Sequence, residues 1–179
     1  MNEFFFRILN AIISHSAVLD RVVYFLAQPT ALLATLALAV YAAYEIMRTR
    51  EASRGGEVLR KWVLVFASAI LAWFLADILQ GFIAHPRPFL ALSDTNLLFP
   101  YGDHDSFPSG HAAFLSGITG ALYFFFDKKR LVWVFAAVTI LVALSRVAAG
   151  VHWPLDILGG IALGVGVAWG VFRTRKYFK

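Results

Sequence analysis

Cysteine is absent from the 179 residues, which excludes disulfides, thiolate nucleophiles and thiolate metal ligands and leaves the redox compartment open. Charge is scarce too. Asp, Glu, Lys and Arg together make 15% of the chain, against about a quarter in a soluble globular domain, too little polar surface for a water-soluble fold of this length. Internal repeats and low-complexity segments are lacking. A cleavable leader is not evident either: Glu3 precedes Arg7 and no small-residue cleavage site follows. What abounds is apolar: 60% hydrophobic, 16% aromatic, with a mean hydropathy of +0.70. Long apolar stretches bounded by basic clusters put the chain in the membrane class, as one domain over 1–179.

The expected fold is all-α: a polytopic transmembrane helix bundle of about five or six spans. Residues 2–28 are apolar but interrupted by Arg7, His15, Asp20 and Arg21, which fits two short interfacial helices or one imperfect span equally well. Segments 30–47, 62–84, 109–126, 131–149 and 154–172 are the clear crossings. Segment 48–61, with Gly55 and Gly56, reads as a polar loop, and the longest loop runs over 85–107. Pro154 suits the first turn of the last helix, where its missing N–H costs nothing. Orientation follows from charge. Twelve of the 16 basic residues lie in 48–61, in 128–130 and in the tail from Arg173, and alternating spans put all three on one side. By the positive-inside rule that side is cytoplasmic. The net charge of +5 is thus a topology signal, and no nucleic-acid partner is expected.

The opposite face collects the chemistry. Arg87-Pro88 ends one span, Pro108-Ser109-Gly110-His111 opens the next, and Ser145-Arg146, His152 and Asp156 straddle the last turn. Ionisable groups in or beside a bilayer are expensive, so these are functional candidates. With helix from Leu155 onward, Asp156 lies about one turn from His152, placed to hold the imidazole in one tautomer. A histidine held so acts as base or nucleophile. Two guanidiniums, a serine hydroxyl and the free N–H groups of a helix start make an anion cradle. The sum reads as phosphoryl transfer.

These three segments resemble the three signatures of the type 2 phosphatidic acid phosphatase superfamily, over 62–172. The resemblance implies that His152 attacks phosphorus to form a phosphohistidine, that Asp156 orients it, and that His111 protonates the leaving oxygen. Arg87, Ser109, Gly110 and Arg146 then hold the phosphoryl oxygens, and no metal or cofactor is required. The family's usual lysine seven residues before the arginine is Gln80 here, which takes the corresponding phosphate-binding position with one cation fewer. Arg87-Pro88-Phe89, Ser106-Phe107-Pro108-Ser109 and the short N-terminal region are similar to the bacterial undecaprenyl-diphosphate phosphatases of the bacitracin-resistance type, which also lack that lysine. That branch often carries Asp where Gly110 stands. The expectation is a plasma-membrane phosphatase whose partners are a phosphorylated lipid and the bilayer, with its site on the extracytoplasmic side. Another lipid phosphate, a lipid phosphotransferase, an anion or lipid transporter and a haem protein are the alternatives weighed beside it.

The remaining polar and aromatic residues have blander readings. His85 and His104 are expected as solvated loop residues, and Asp103 and Asp105 as turn formers. Asp77 shares a helical face with Gln80 and is expected in the bundle interior in a structural hydrogen bond. Gly159, Gly160, Gly164 and Gly166 read as close helix packing. Trp133, Trp153 and Trp169 are expected at the interface or facing lipid.

Overall fold

A computed structural model describes residues 2–49 and 52–175. Among them are eight helices: α1 (Asn2–Asn10), α2 (Ala17–Ala27), α3 (Pro29–Arg48), α4 (Ala52–Ile83), α5 (Pro88–Ala91), α6 (Gly110–Phe125), α7 (Lys129–Ala148) and α8 (Pro154–Thr174). The only extended pairing among the described residues is an isolated antiparallel bridge between Pro86 and Asp105. The N-terminal region therefore resolves as two short helices. Four helices, α3, α4, α7 and α8, are long and apolar enough to cross a membrane. At 16 residues, α6 is shorter. It still runs from the end where α4 stops to the end where α7 starts, and so makes the fifth crossing.

Helix α6 is the axis of the bundle. Ala112, Ala113, Leu115, Ser116, Ile118, Ala121 and Leu122 are all buried, and together these positions go right round the helix, as an element at the centre of a bundle requires. Small residues bring α8 against it. A Cβ at Gly160 would lie 2.5 Å from the Ser109 carbonyl oxygen, and one at Gly164 would strike Ser116 Oγ and the Ala113 carbonyl. On the other side, a Cβ at Gly117 would sit 3.1 Å from Ala69 Cα of α4. Lipid gives helices little hydrophobic reason to associate, so such close backbone packing holds the bundle. Gly166, by contrast, faces open space. The outside is apolar in the manner of a lipid-facing surface: Phe82 is 81% exposed and Trp133 74%.

Three expectations are corrected. The segment read as a loop at 48–61 is mostly helix, since α4 begins at Ala52 and runs through Gly55 and Gly56; Arg50 and Glu51 lie outside the described residues. Each glycine costs roughly 1 kcal/mol in a helix. Extending an existing helix is cheap beside nucleating one, and a Lys61–Glu57 ion pair at 2.7 Å supports this turn. Asp77 is exposed rather than interior. It lines a polar cavity with Gln80, Asp103, His104 and Asp105. Trp153 is buried rather than lipid-facing, because its indole N–H reaches the Pro86 carbonyl at 2.9 Å and its ring packs on Phe6.

Candidate active site

The polar groups gather at the end of the bundle away from Arg48, Lys128 and Arg173. Each is carried by an element boundary: Arg87 just before α5, Ser109 and Gly110 at the start of α6, Arg146 in the last turn of α7, His152 in the α7–α8 turn, Asp156 in the first turn of α8. The turn is pinned at both ends. Gly150 has φ +83°, where a side chain would be strained, and a Cβ there would also meet the Asn96 carbonyl at 2.5 Å. Pro154 starts α8, and Asp156 Oδ2 accepts the Trp153 N–H at 2.7 Å, capping the helix.

His152 is 1% exposed. Its Nδ1 lies 3.1 Å from the Ser106 carbonyl oxygen. A carbonyl only accepts, so the proton sits on Nδ1 and Nε2 is left unprotonated. Asp156 Oδ2 stands 3.4 Å from the same Nδ1. The tautomer is thus held mainly by a backbone carbonyl of the 85–107 loop, with the aspartate behind it. Burial, with the Arg146 and Arg87 charges adding, pushes the imidazole pKa well below its usual value, so the ring is neutral.

Nε2 accepts a long hydrogen bond from Arg87 Nη1 at 3.4 Å. Arg87, 1% exposed, is fixed by Nε donating to the Asp103 carbonyl at 2.9 Å and Nη1 donating to the Val151 carbonyl at 2.8 Å. Arg146 is fully buried. Its Nη1 donates to the Ala27 carbonyl at 3.2 Å, while Nε and Nη2 meet no acceptor in hydrogen-bonding geometry among the described residues. Neither arginine makes an ion pair with a carboxylate among them. Ser109 Oγ is likewise buried without a partner, although its own N–H is tied to the Asp156 carbonyl at 2.9 Å. Buried donors left open are costly, and Arg146 carries two of them within electrostatic range of the unprotonated imidazole. The arrangement suits a tetrahedral oxyanion.

His111 lies one residue into α6, within electrostatic range of Arg146, His152 and Arg87. Its other side borders a largely apolar cavity of about 230 Å³ lined by Ala31, Leu32, Thr35, Trp73, Gly110 and Phe114. A Cβ at 110 would approach Trp73 Cδ1 to 3.1 Å, so glycine at this position goes with tryptophan at 73. Gln80 does not enter the cradle. Its Nε2 donates to the Pro108 carbonyl at 2.7 Å, bracing the serine loop from behind. His85 is less solvated than expected, with Nδ1 3.0 Å from Ser106 Oγ. His104 is exposed, and only its carbonyl is used, by the Arg87 N–H.

Two contributors had no signal in the sequence: the Ser106 carbonyl, which belongs to no residue type, and Tyr101, whose ring lies 4.3 Å from the Arg87 guanidinium and 4.8 Å from that of Arg146.

Comparison with known proteins agrees with the geometry. The chain is 32% identical over 173 residues to a protein named bacitracin transport permease protein BcrC from Bacillus licheniformis, covering 94% of this chain and 78% of that one. It is 26% identical over 174 residues to undecaprenyl-diphosphatase BcrC of Bacillus subtilis, covering 97% and 83%. Among solved structures it is similar to Aquifex aeolicus LpxE, with a TM-score of 0.74 at 26% identity over 96% of this chain and 94% of that one. The PAP2 superfamily profile matches residues 60–179, the stretch that carries all three polar segments, and the chain belongs to the PAP2 superfamily.

Proposed function

We propose that the chain is a membrane lipid phosphatase that removes the terminal phosphate of undecaprenyl diphosphate. The site faces the extracytoplasmic side of a bacterial plasma membrane, and 62–172 forms the catalytic core. The observation that carries the phosphatase reading is, among the described residues, an unprotonated His152 Nε2 met only by the Arg87 guanidinium, in a site where Arg146 Nε and Nη2 and Ser109 Oγ have no acceptor. His152 Nε2 attacks the terminal phosphorus as the bond to the bridging oxygen breaks, and His111 gives that oxygen its proton. Water then attacks the phosphohistidine, with His111 taking a proton back, and inorganic phosphate leaves. Arg87, Arg146, Ser109 Oγ and the Gly110 N–H hold the three equatorial oxygens, where charge is spread in the transition state. Asp156 and the Ser106 carbonyl keep the Nδ1 proton in place throughout.

The lipid part of the reading is supported by the apolar cavity at His111. A group that protonates the leaving oxygen stands next to whatever that oxygen carries, and here it stands next to an apolar channel. The named substrate is supported by the Bacillus relatives, and the outward orientation by the basic segments at the opposite end. A transporter reading has less support, because the ionisable groups lie at helix ends and not at broken helices halfway across.

The test is phosphate release by the purified protein in detergent with EDTA. Undecaprenyl diphosphate, phosphatidate and phosphatidylglycerophosphate are compared in parallel. Release is expected to be fastest with undecaprenyl diphosphate and to vanish in His152→Ala. Preference for another lipid phosphate keeps the chemistry and changes the substrate. Undiminished release by His152→Ala removes the nucleophile.

A further inference from the structure

Two buried guanidiniums within electrostatic range repel each other and need something to hold them. A carboxylate is the usual answer, but it would neutralise the charge that an anion site depends on. Among the described residues neither Arg87 nor Arg146 has one. What they share is an aromatic face: Tyr101 lies 4.3 Å from the Arg87 guanidinium and 4.8 Å from that of Arg146, and Phe99 adds a second ring 5.8 Å from Arg146. An aromatic quadrupole attracts a cation without removing its charge, and the attraction strengthens when the pair is dry.

The loop that carries these rings is itself fixed. The Leu98 N–H donates to the Ala149 carbonyl at 3.2 Å, and Phe99 is buried in a cluster with Ile13, Val23, Ala27, Ala148, Ala149 and Val151. On the far side, the Asp103 carbonyl accepts from Arg87 Nε. Tyr101 thus stands between two anchored points. It lies in no signature segment, and it reaches the phosphoryl chemistry through the two guanidiniums that its ring faces.

We propose that Tyr101 is a positioning residue for the anion cradle: its ring holds the Arg87 and Arg146 guanidiniums in place for a phosphoryl group, chiefly through its quadrupole. The inference rests on the anion-binding reading of the centre.

The test replaces Tyr101 by Phe and then by mono-, di- and trifluorinated phenylalanines, which keep the ring's shape and progressively weaken its quadrupole. Competitive inhibition by inorganic phosphate and lipid turnover are both measured on the full chain in detergent. Phe is expected to stay within about twofold of the parent, and phosphate affinity to fall stepwise along the series to about tenfold, or about 1.4 kcal/mol. Thermal unfolding is expected to stay constant. A flat series, or a Tyr101→Phe variant as impaired as the trifluorinated one, overturns the proposal while leaving the phosphatase reading intact. A parent protein that neither binds phosphate nor releases it removes both.

Discussion

At the residue scale, the behaviour of His152 is set by what surrounds each nitrogen. The Nδ1–H donates to a backbone carbonyl and Nε2 accepts from a guanidinium, in a setting that disfavours the imidazolium. This has a consequence for stability. The folded protein holds the ring neutral below the unfolded-chain pKa of about 6.5, so in that range the unfolded chain binds more protons. Stability is fully present above that value and is lost as pH falls. Unfolding midpoints in detergent between about pH 7 and pH 5 are expected to drop more steeply for the parent than for His152→Gln; parallel slopes would mean that the imidazole is not held neutral. The chain singles out His152 by the company of Ser145, Arg146 and Asp156, and the structure buries it beside Arg87, while its role as nucleophile stays a proposal. Its proton partner was only half legible. Asp156 is near, but the closer acceptor is the Ser106 carbonyl, and a main-chain oxygen leaves no trace in a sequence. Asp77 failed for a related reason. A shared helical face says which residues are neighbours, but not which way that face looks.

At the scale of elements, the crossings could be read from apolar length, while the way the ends are tied could not. Helix α1 is the clearest case, since nothing about Asn10 marks it. Its side chain is 4% exposed and uses its whole capacity: Nδ2 donates to the carbonyls of Asn96 and Ala148 at 2.7 and 2.9 Å, and Oδ1 accepts the Asn96 N–H at 2.9 Å. Three stretches that are distant in sequence meet there, one of them the end of the helix that carries Arg146. An Arg7–Asp94 ion pair closes the same junction at its exposed rim. Asn10→Ala strands a buried N–H and two carbonyls, each costing about 1–3 kcal/mol when left unsatisfied. The variant is expected to lower the unfolding midpoint clearly and to reduce turnover as the α7–α8 turn loosens. An unchanged midpoint would show that the loop holds without α1. The Gly55–Gly56 stretch erred the other way: local composition argued for a loop, and the momentum of a long helix overrode it.

For the whole molecule, the useful asymmetry is between a lysine held by a carboxylate at one end and two buried arginines with none among the described residues at the other. At the first, Lys128 bridges to Glu45 at 2.8 Å and to the Tyr41 hydroxyl. At the second, Arg146 keeps open donors, and an apolar cavity borders His111 between α3, α4 and α6. Filling that cavity separates chain binding from chemistry. Leu32→Trp is expected to cut kcat/KM for a long-chain lipid by about tenfold while leaving a short soluble phosphate ester within about twofold. Equal effects on both would mean that the chain lies elsewhere. The motif-bearing ends of this architecture were evident before any fold was known, whereas the cavity depends on how α3 leans on α4 and α6, a matter of packing alone.

The brevity of α6 sets how deep the reaction takes place. Sixteen residues rise about 24 Å, several ångströms less than a hydrocarbon core of about 30 Å, and the helix begins beside His111, which we propose as the acid for the leaving oxygen. With Asp127 and Lys128 at headgroup level on one side, the other end would lie below the headgroups of the opposite leaflet. On the proposed reading a lipid phosphate would then reach these histidines by sinking toward its own tail, not by being drawn out into water, and a thicker bilayer would lengthen that descent.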